Sequence, residues 1–137
     1  MTHFASPAIV LRRRDYGDFD LILTVLTQHQ GICTLIAKSA KKSSKRFPGI
    51  LEPFAGLHIV CRQGRGKGMW VLEEATLDRP FGSARADILK TAYASYWSEV
   101  VALSLQEGQA RPDVYALLVY VLDALTRDVA PGALLSL

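Results

Sequence analysis

The chain has 137 residues and a net charge of +3, with 50% apolar and 21% charged residues. This composition excludes a disordered chain, and a chain of this length buries roughly two-thirds of its unfolded surface without help from a disulfide or a metal. No stretch of about 18 uninterrupted apolar residues predicts a membrane span, and the first residues lack the pattern of a signal peptide.

Short segments rich in β-branched residues predict strands through the first half of the chain. Glycines, prolines and polar residues separate them and predict turns. The predicted strands cover residues 8–11, 21–27, 32–37, 54–62 and 70–77. The second and third of these predict a hairpin, and five short strands joined by turns predict a small antiparallel barrel or sandwich.

The periodicity changes at Pro80, after which apolar residues recur at the spacing of a helix face. A first helix is predicted to start after Ser83 as its N-cap and to end near Gly108. Pro112 suits the first turn of a second helix, which is predicted to end near Arg127. The sequence therefore predicts a helical segment after the strands.

The chain as a whole is predicted to be mixed β+α, with a strand domain at residues 1–79 and a helical region at residues 80–137. Tyr93, Tyr96 and Trp97 share one face of the first predicted helix and are expected to lie in the core. Residues 133–137 are apolar and end abruptly. They predict a third helix cut short or a segment packed on the helices, as in a truncated chain.

Charge is unevenly distributed along the sequence. Residues 1–70 contain eleven Lys and Arg against four Asp and Glu, a net +7, whereas residues 71–137 contain five against nine, a net −4. A basic first half predicts a surface that meets a polyanion, although charge that only keeps the protein in solution is the alternative.

The strongest basic signal is the run from Lys38 to Arg46, which has five cations and no acid. Such a run cannot neutralise itself, so it predicts contact with the phosphates of a nucleic acid. The predicted contacts are Lys38, Lys41, Lys42, Lys45 and Arg46. Phe47 follows the run and is predicted either to stack on a base or to lie in the core.

Two smaller basic clusters could extend this surface. On a strand, Arg12 and Arg14 would point to one face and Arg13 to the other, so the first two could contact phosphates or pair with nearby aspartates. Arg65 and Lys67 lie among three glycines at a predicted turn. This turn does not match a phosphate-binding P-loop, because no Gly-Lys-Ser/Thr follows, so a supporting contact with DNA is predicted.

No catalytic or metal-binding pattern is found, so neither an enzyme nor a cofactor is expected. His3, His29 and His58 lie on separate segments, and Glu73 and Glu74 would point to opposite faces of a strand. The acids at positions 15, 18 and 20 lack the glycine and terminal glutamate of a calcium loop.

Cys33 and Cys61 are the two cysteines of the sequence. Each lies in an apolar, strand-like stretch, and their separation fits neither a disulfide framework nor a CxxC metal motif. We expect both to be buried and reduced, which suits a cytoplasmic protein.

A series of short motifs carries a family resemblance. They are Tyr16-Gly17-Asp18-Phe19-Asp20, the strand from Leu21 to Thr27, Gly31, Ala37-Lys38-Ser39-Ala40-Lys41-Lys42, Lys45-Arg46-Phe47, Gly49, Leu51-Glu52-Pro53-Phe54, Arg65-Gly66 and Ala92-Tyr93-Ala94-Ser95-Tyr96. In their order and spacing they resemble the N-terminal part of the RecO family, bacterial mediators of DNA repair and recombination, and the resemblance covers nearly the whole chain.

The resemblance implies a five-stranded OB-fold followed by the start of a helical region. It also implies binding of single- and double-stranded DNA, annealing of complementary strands, and help in loading the recombinase onto DNA coated with single-strand-binding protein. The implied partners are RecR and that coating protein, and the implied location is the cytoplasm, at the nucleoid. The DNA contacts would fall on the basic run from Lys38 to Arg46, with Arg12 and Arg14 as weaker candidates.

The chain departs from the family pattern at several points. The family more often has Glu at the position of Asp18 and Gly at the position of Ser39. The second difference could change the backbone of the loop. Family members are usually much longer, and many have a zinc-binding cysteine cluster that this chain lacks, so no metal is expected. Two alternatives to DNA binding remain open, an OB-fold that binds RNA and an adaptor whose basic face binds an acidic protein tail.

Overall fold

The computed structural model describes residues 3–41, 47, 49–65, 68–79, 81 and 87–127. The elements are β1 (His3–Tyr16), β2 (Asp20–Thr27), β3 (Gly31–Ala37), β4 (Gly56–Gln63), β5 (Met69–Arg79), α1 (Ile88–Ser104) and α2 (Pro112–Thr126). The predicted fold class, a five-stranded barrel followed by helices, is confirmed. Its division into two domains at residue 79 stays a prediction.

The five strands form a closed barrel in the order β1-β2-β3-β5-β4, and β1 also pairs with β4. The prediction of an all-antiparallel barrel is wrong at one junction, because β3 and β5 pair in parallel. A closed ring with an odd number of strands cannot alternate direction at every step, so one parallel pair is required. This strand order is that of an OB-fold.

The predicted hairpin is the β2–β3 pair, which keeps a regular register from Leu21↔Ala37 to Thr27↔Gly31. The Thr27 hydroxyl accepts the N–H of Gln30 at 2.9 Å and donates to the carbonyl of Gly31 at 2.7 Å. These two bonds satisfy backbone groups inside the turn and set the register of the hairpin.

Two hydrophobic cores meet at β1. Ala8 and Val10 point into the barrel, where they pack with the inner residues of the other strands. Ile9 and Leu11 point outward and pack against the two helices. Because both sides of the strand are covered here, four consecutive residues are buried instead of every second one.

The helix boundaries differ from the prediction at α1. Its N-cap is Asp87, whose carboxylate accepts the N–H of Lys90 at 3.0 Å, whereas Ser83 lies outside the described residues. The helix ends at Ser104, before Gly108, because the N–H of Gly108 donates to the carbonyl of Ile32 at 3.0 Å and so joins β3. The second helix starts at Pro112 and ends before Arg127, as predicted.

The aromatic face of α1 is only partly in the core. Tyr93 and Trp97 pack against the core between barrel and helices, but Tyr96 is 53% exposed, so its predicted core position is wrong. The reason is that α1 buries the side that contains Ala94, Ser98 and Val101, and Tyr96, two residues after Ala94, lies roughly 200° around the helix from it.

Both cysteines are buried, and neither forms a disulfide bond, as predicted. Burial raises the pKa of the Cys33 thiol to about 11 and that of Cys61 to about 12. Both therefore stay protonated at neutral pH and behave as small apolar side chains of the barrel core.

Within the described residues, neither helix has the length and apolar character needed to cross a membrane.

Candidate nucleic-acid interface

The basic run begins at the end of β3, and the structure describes two of its cations. Lys38 is exposed just after the strand. The N–H of Lys41 donates to the carbonyl of Phe19 at 2.9 Å, and its ammonium donates to the carboxylate of Asp15 at 3.0 Å. Lys42, Lys45, Arg46 and, in the later turn, Lys67 lie outside the described residues. The start of the run is thus held beside the turn between β1 and β2.

Ser39 fixes this attachment. Its N–H donates to the carboxylate of Asp20 at 2.7 Å, and its φ is 60°, in the left-handed region that favours glycine. The backbone must turn sharply here to leave β3 and meet the β1–β2 turn. The predicted effect of serine, in place of glycine, on the backbone of the loop therefore has a physical reason.

The structure does not present Phe47 to a base. Its side chain is 5% exposed and belongs to the core inside the barrel. Of the two interpretations of this residue, the core position is the one observed. Phe47 is therefore removed from the predicted interface. The signal was misleading because sequence proximity to lysines does not tell which way a ring points.

The arginine cluster divides between two faces, as predicted for a strand. Arg12 and Arg14 lie opposite Thr24 and Ile22 of β2, on the outside of the barrel. Arg13 instead reaches the end of the barrel, where its guanidinium pairs with the carboxylate of Glu52 and donates to the carbonyl of Leu51 at 3.2 Å.

The ion pairs of the outward arginines differ from those expected. Arg12 pairs with Glu99 of α1, not with an aspartate of the β1–β2 turn. Both side chains are about half exposed, and such a pair is worth only about 0–1 kcal/mol, so a phosphate could replace Glu99. Arg14 has no ion-pair partner among the described residues.

The strand register connects Arg14 to a cation on the other side of the barrel. Arg14 pairs with Ile22, Ile22 with Ile36, Ile36 with Val71, and Val71 with Arg62. Direct partners in a sheet point to the same face, so these five side chains form one continuous row across β1, β2, β3, β5 and β4. The row has an arginine at each end and β-branched apolar residues between them.

A second row follows the first and contains Arg12, Thr24, Thr34 and Met69. We call the two rows together with Lys38 the cationic face. Ile22 and Val71 are buried among their neighbours, whereas Thr24, Thr34 and Ile36 are half-buried. The surface available to a ligand is therefore polar and basic at its borders and weakly apolar along its middle.

One end of the cationic face forms a groove of about 490 Å³. Three cations line it, and no acid does so among the described residues: the cations are Lys38, Arg62 and Arg65. Arg62 was missed by the sequence analysis, because a single arginine in an apolar strand gives no local signal. The strand alternation around it, with Cys61 inside and Arg62 outside, could have indicated its direction.

Acidic residues border the face. Glu73 lies 3.7 Å from the guanidinium Nε of Arg62 and 3.3 Å from Nε2 of His3. At the opposite edge, the hydroxyl of Thr34 donates to the carboxylate of Glu107 at 2.8 Å. These acids would repel phosphates, so they limit the path that a polyanion can follow to the area between them.

The link between the helices closes this edge. Residue 107 bridges to Ile32, and Gly31 packs against the backbone of Gln109 so closely that a Cβ would collide with it. The start of β3 is thereby covered, and the cationic face begins only at Thr34.

The side chains that could ligate a metal are dispersed in the part of the chain that the structure describes. No group of three or more His, Cys, Asp or Glu side chains is arranged there to hold a metal ion. The expectation of a protein without catalytic or metal chemistry stays a prediction.

A closed barrel with this strand order defines an OB-fold-like protein, and this barrel has a basic outer face. Comparison with known proteins makes the assignment specific. The model of the family described as "Recombination protein O N terminal" matches residues 1–81, and that of "Recombination protein O C terminal" matches residues 85–137. The chain belongs to the RecO family, as its motifs predicted.

Individual relatives agree with this assignment. The chain is 46% identical to a DNA repair protein RecO of Desulfosudis oleivorans over 100% of its own length and 53% of that protein. It is 41% identical to the DNA repair protein RecO of Desulfatibacillum aliphaticivorans over 93% of its length and 50% of that protein. The chain thus spans about half the length of these curated relatives.

Proposed function

We propose that this chain binds DNA through its cationic face and acts in DNA repair and homologous recombination as a non-enzymatic recombination mediator. The observation that carries the proposal is the continuous row from Arg14 to Arg62, with cations at both borders and apolar side chains between. Membership of the RecO family supports the biological role, because the relatives are named DNA repair proteins.

The charge pattern favours a single strand over a rigid duplex. A single strand can bend along a curved barrel surface while its phosphates reach cations on either side and its bases lie against the apolar middle. A duplex presents its bases only at the groove edges, so it would engage mainly the outermost cations. We therefore infer that single strands bind more tightly, with duplex DNA as a weaker, more salt-sensitive ligand.

The contacts proposed within this framework are those of the sequence analysis, apart from Phe47, and Arg62 is added to them. They are Lys38, Lys41, Lys42, Lys45, Arg46, Arg12, Arg14, Arg62, Arg65 and Lys67. The basic run would extend the cationic face beyond Lys38. Each phosphate neutralised releases counterions, so the affinity should depend steeply on salt.

Annealing follows from the same electrostatics. Two complementary single strands repel each other, and a basic surface that neutralises phosphates lowers that repulsion, so the strands can approach and pair. We propose strand annealing, and loading of the recombinase on strands coated with single-strand-binding protein, as the functions of the full-length protein. Its proposed partners are RecR and the coating protein, and its proposed location is the cytoplasm, at the nucleoid.

The proposal is tested by fluorescence anisotropy with a labelled single-stranded DNA across a series of salt concentrations. We expect micromolar or tighter binding at low salt and a linear fall of log affinity with log salt. Unlabelled DNA, RNA of matched sequence and an acidic peptide then compete for the labelled strand. DNA should compete best, whereas stronger competition by the RNA would favour an RNA-binding protein.

The acidic peptide tests the adaptor alternative. An adaptor would bind the peptide and bind oligonucleotides weakly. Absence of DNA binding at low salt, with the protein folded by circular dichroism, would overturn the proposed function.

A further inference from the structure

We propose that Tyr16 and Phe19, at the turn between β1 and β2, form a base-stacking platform that extends the cationic face and makes it recognise bases as well as phosphates. This inference rests on the proposed DNA binding and names the residues that contact the bases. The partner of the two rings is an unpaired nucleobase, so the platform selects single-stranded over paired DNA.

The first observation is the exposure of the two rings. Tyr16 is 52% and Phe19 is 51% exposed, although both are large and apolar. Among the described residues of the barrel strands and their turns, Leu77 is the one other large apolar side chain with this exposure; the rest lie on the helices. Tyr16 and Phe19 are therefore two exposed aromatic residues, three positions apart, that belong to neither hydrophobic core.

The second observation is the alignment of Tyr16 with the cations of β1. Alternate residues of a strand share a face, so Arg12, Arg14 and Tyr16 follow one another along the outside of the barrel, each roughly 7 Å from the next. Tyr16 lies opposite Asp20, one row beyond the row that joins Arg14 to Arg62. The ring of Tyr16 therefore lies beside the Arg14 end of the row, next to a nucleotide bound at that end.

The third observation is the proximity of Phe19 to the basic run. The carbonyl of Phe19 accepts the N–H of Lys41 at 2.9 Å, and Asp20 holds the N–H of Ser39. The β1–β2 turn and the start of the basic run are thus fastened to each other. A nucleotide whose base stacks on Phe19 would have its phosphate near Lys41, whose backbone N–H is held by Phe19.

The acidic residues of the turn are consistent with bases bound at the turn and phosphates bound at the cations beside it. The carboxylate of Asp15 is paired with Lys41 at 3.0 Å, and that of Asp20 accepts a backbone N–H, so both have local partners. Asp18 adds a negative charge at the tip of the turn, which disfavours phosphate there. The tip is therefore suited to the uncharged face of a base, with phosphates directed toward the cations on either side.

The experiment compares a thymidine oligomer with an abasic oligomer of the same length, which keeps the phosphates but has nothing to stack. The parent protein should bind the thymidine oligomer more tightly at the same salt concentration. Tyr16→Ala and Phe19→Ala should each lower affinity for the thymidine oligomer by about fivefold or more and leave affinity for the abasic oligomer and the salt slope unchanged. Tyr16→Phe should retain the preference, because a phenyl ring also stacks.

Tyr120→Ala is the matched control, because Tyr120 is 58% exposed but lies on α2, away from the barrel strands; it should change neither affinity. The inference is overturned if the two alanine variants keep the parent's preference for bases. It is also overturned if they lose affinity for both oligomers equally, or if they bind DNA normally and lose only a protein partner. Failure of the proposed function is distinct, since the parent would then bind neither oligomer.

Discussion

Ser39 has a backbone conformation that is unusual for a residue with a Cβ, and among the described residues Phe54 is the other non-glycine residue with a positive φ. Its φ of 60° costs a residue with a Cβ roughly 1–2 kcal/mol relative to the right-handed region. This positive φ is retained because the hydrogen bond to Asp20 and the exit of the chain from β3 require a turn here. A glycine at this position would not have this cost.

We expect Ser39→Gly to stabilise the protein by about 0.5–1 kcal/mol, since relief of the strained φ exceeds the extra entropy that glycine gains in the unfolded chain. The free energy of unfolding, measured with urea, tests this. Ser39→Ala is the control, because it removes the hydroxyl and keeps the Cβ, and it should not stabilise. Equal effects of the two substitutions would show that the backbone is not strained at this residue.

Several site residues could be predicted from the sequence, and others could not. Arg12 and Arg14 were placed on one face because strand alternation is a local property. Arg62 was missed because the row to which it belongs joins residues from four other strands. Phe47 was considered as a stacking residue because it follows the lysines in sequence, and Tyr16 was not considered, whereas the structure brings the β1–β2 turn to Lys41 through the carbonyl of Phe19.

At the scale of elements, the link between the helices determines how much of the barrel is available. Residues 107–109 lie along the start of β3 and cover its outer side. The close approach is possible because Gly31 has no side chain, and its φ of 71° also favours glycine. The close contact between this link and the β2–β3 turn therefore requires a glycine at residue 31.

Gly31→Ala should destabilise the protein by about 2 kcal/mol or more, because the new methyl group adds a steric conflict with Gln109 to the cost of positive φ. Gly17→Ala is matched to it, with a φ of 64° and nothing near the position of its Cβ, so it should cost only about 1–2 kcal/mol. Urea unfolding of both variants gives the comparison. If the two cost the same, the link does not pack tightly on the turn.

Elements were predicted better than their boundaries. The five strands and two helices appear where periodicity placed them, since burial of one face imposes the period on the sequence. The start of α1 was placed at Ser83 because both Ser83 and Asp87 precede Ile88 and either side chain can accept a backbone N–H as an N-cap. The parallel pairing of β3 with β5 is a property of the closed ring, which no single segment encodes.

For the whole molecule, two surfaces have different roles. The helices pack on one side of the barrel through Ile9, Leu11, Leu26 and Ile32. The cationic face lies next to the helices, since Arg12 pairs with Glu99 of α1 and Thr34 with Glu107 of the link. Because Glu73 lies at its other border, acids on both sides confine a polyanion to the basic area between them.

The salt dependence of single-stranded DNA binding, measured by anisotropy, tests the central claim most directly. Three variants are compared with the parent: the double substitution Arg14→Ala with Arg62→Ala at the two ends of the row, the triple substitution of Lys41, Lys42 and Lys45 by Ala in the basic run, and Arg127→Ala, an exposed cation at the end of α2, as the control.

The slope of log affinity against log salt should fall by about 1.4 for the double variant and about 2 for the triple variant, taking about 0.7 for each lost contact. The control should keep the slope of the parent. The account is contradicted if the double variant, folded as judged by circular dichroism, binds with the parent's affinity and slope, because the row from Arg14 to Arg62 would then take no part in binding.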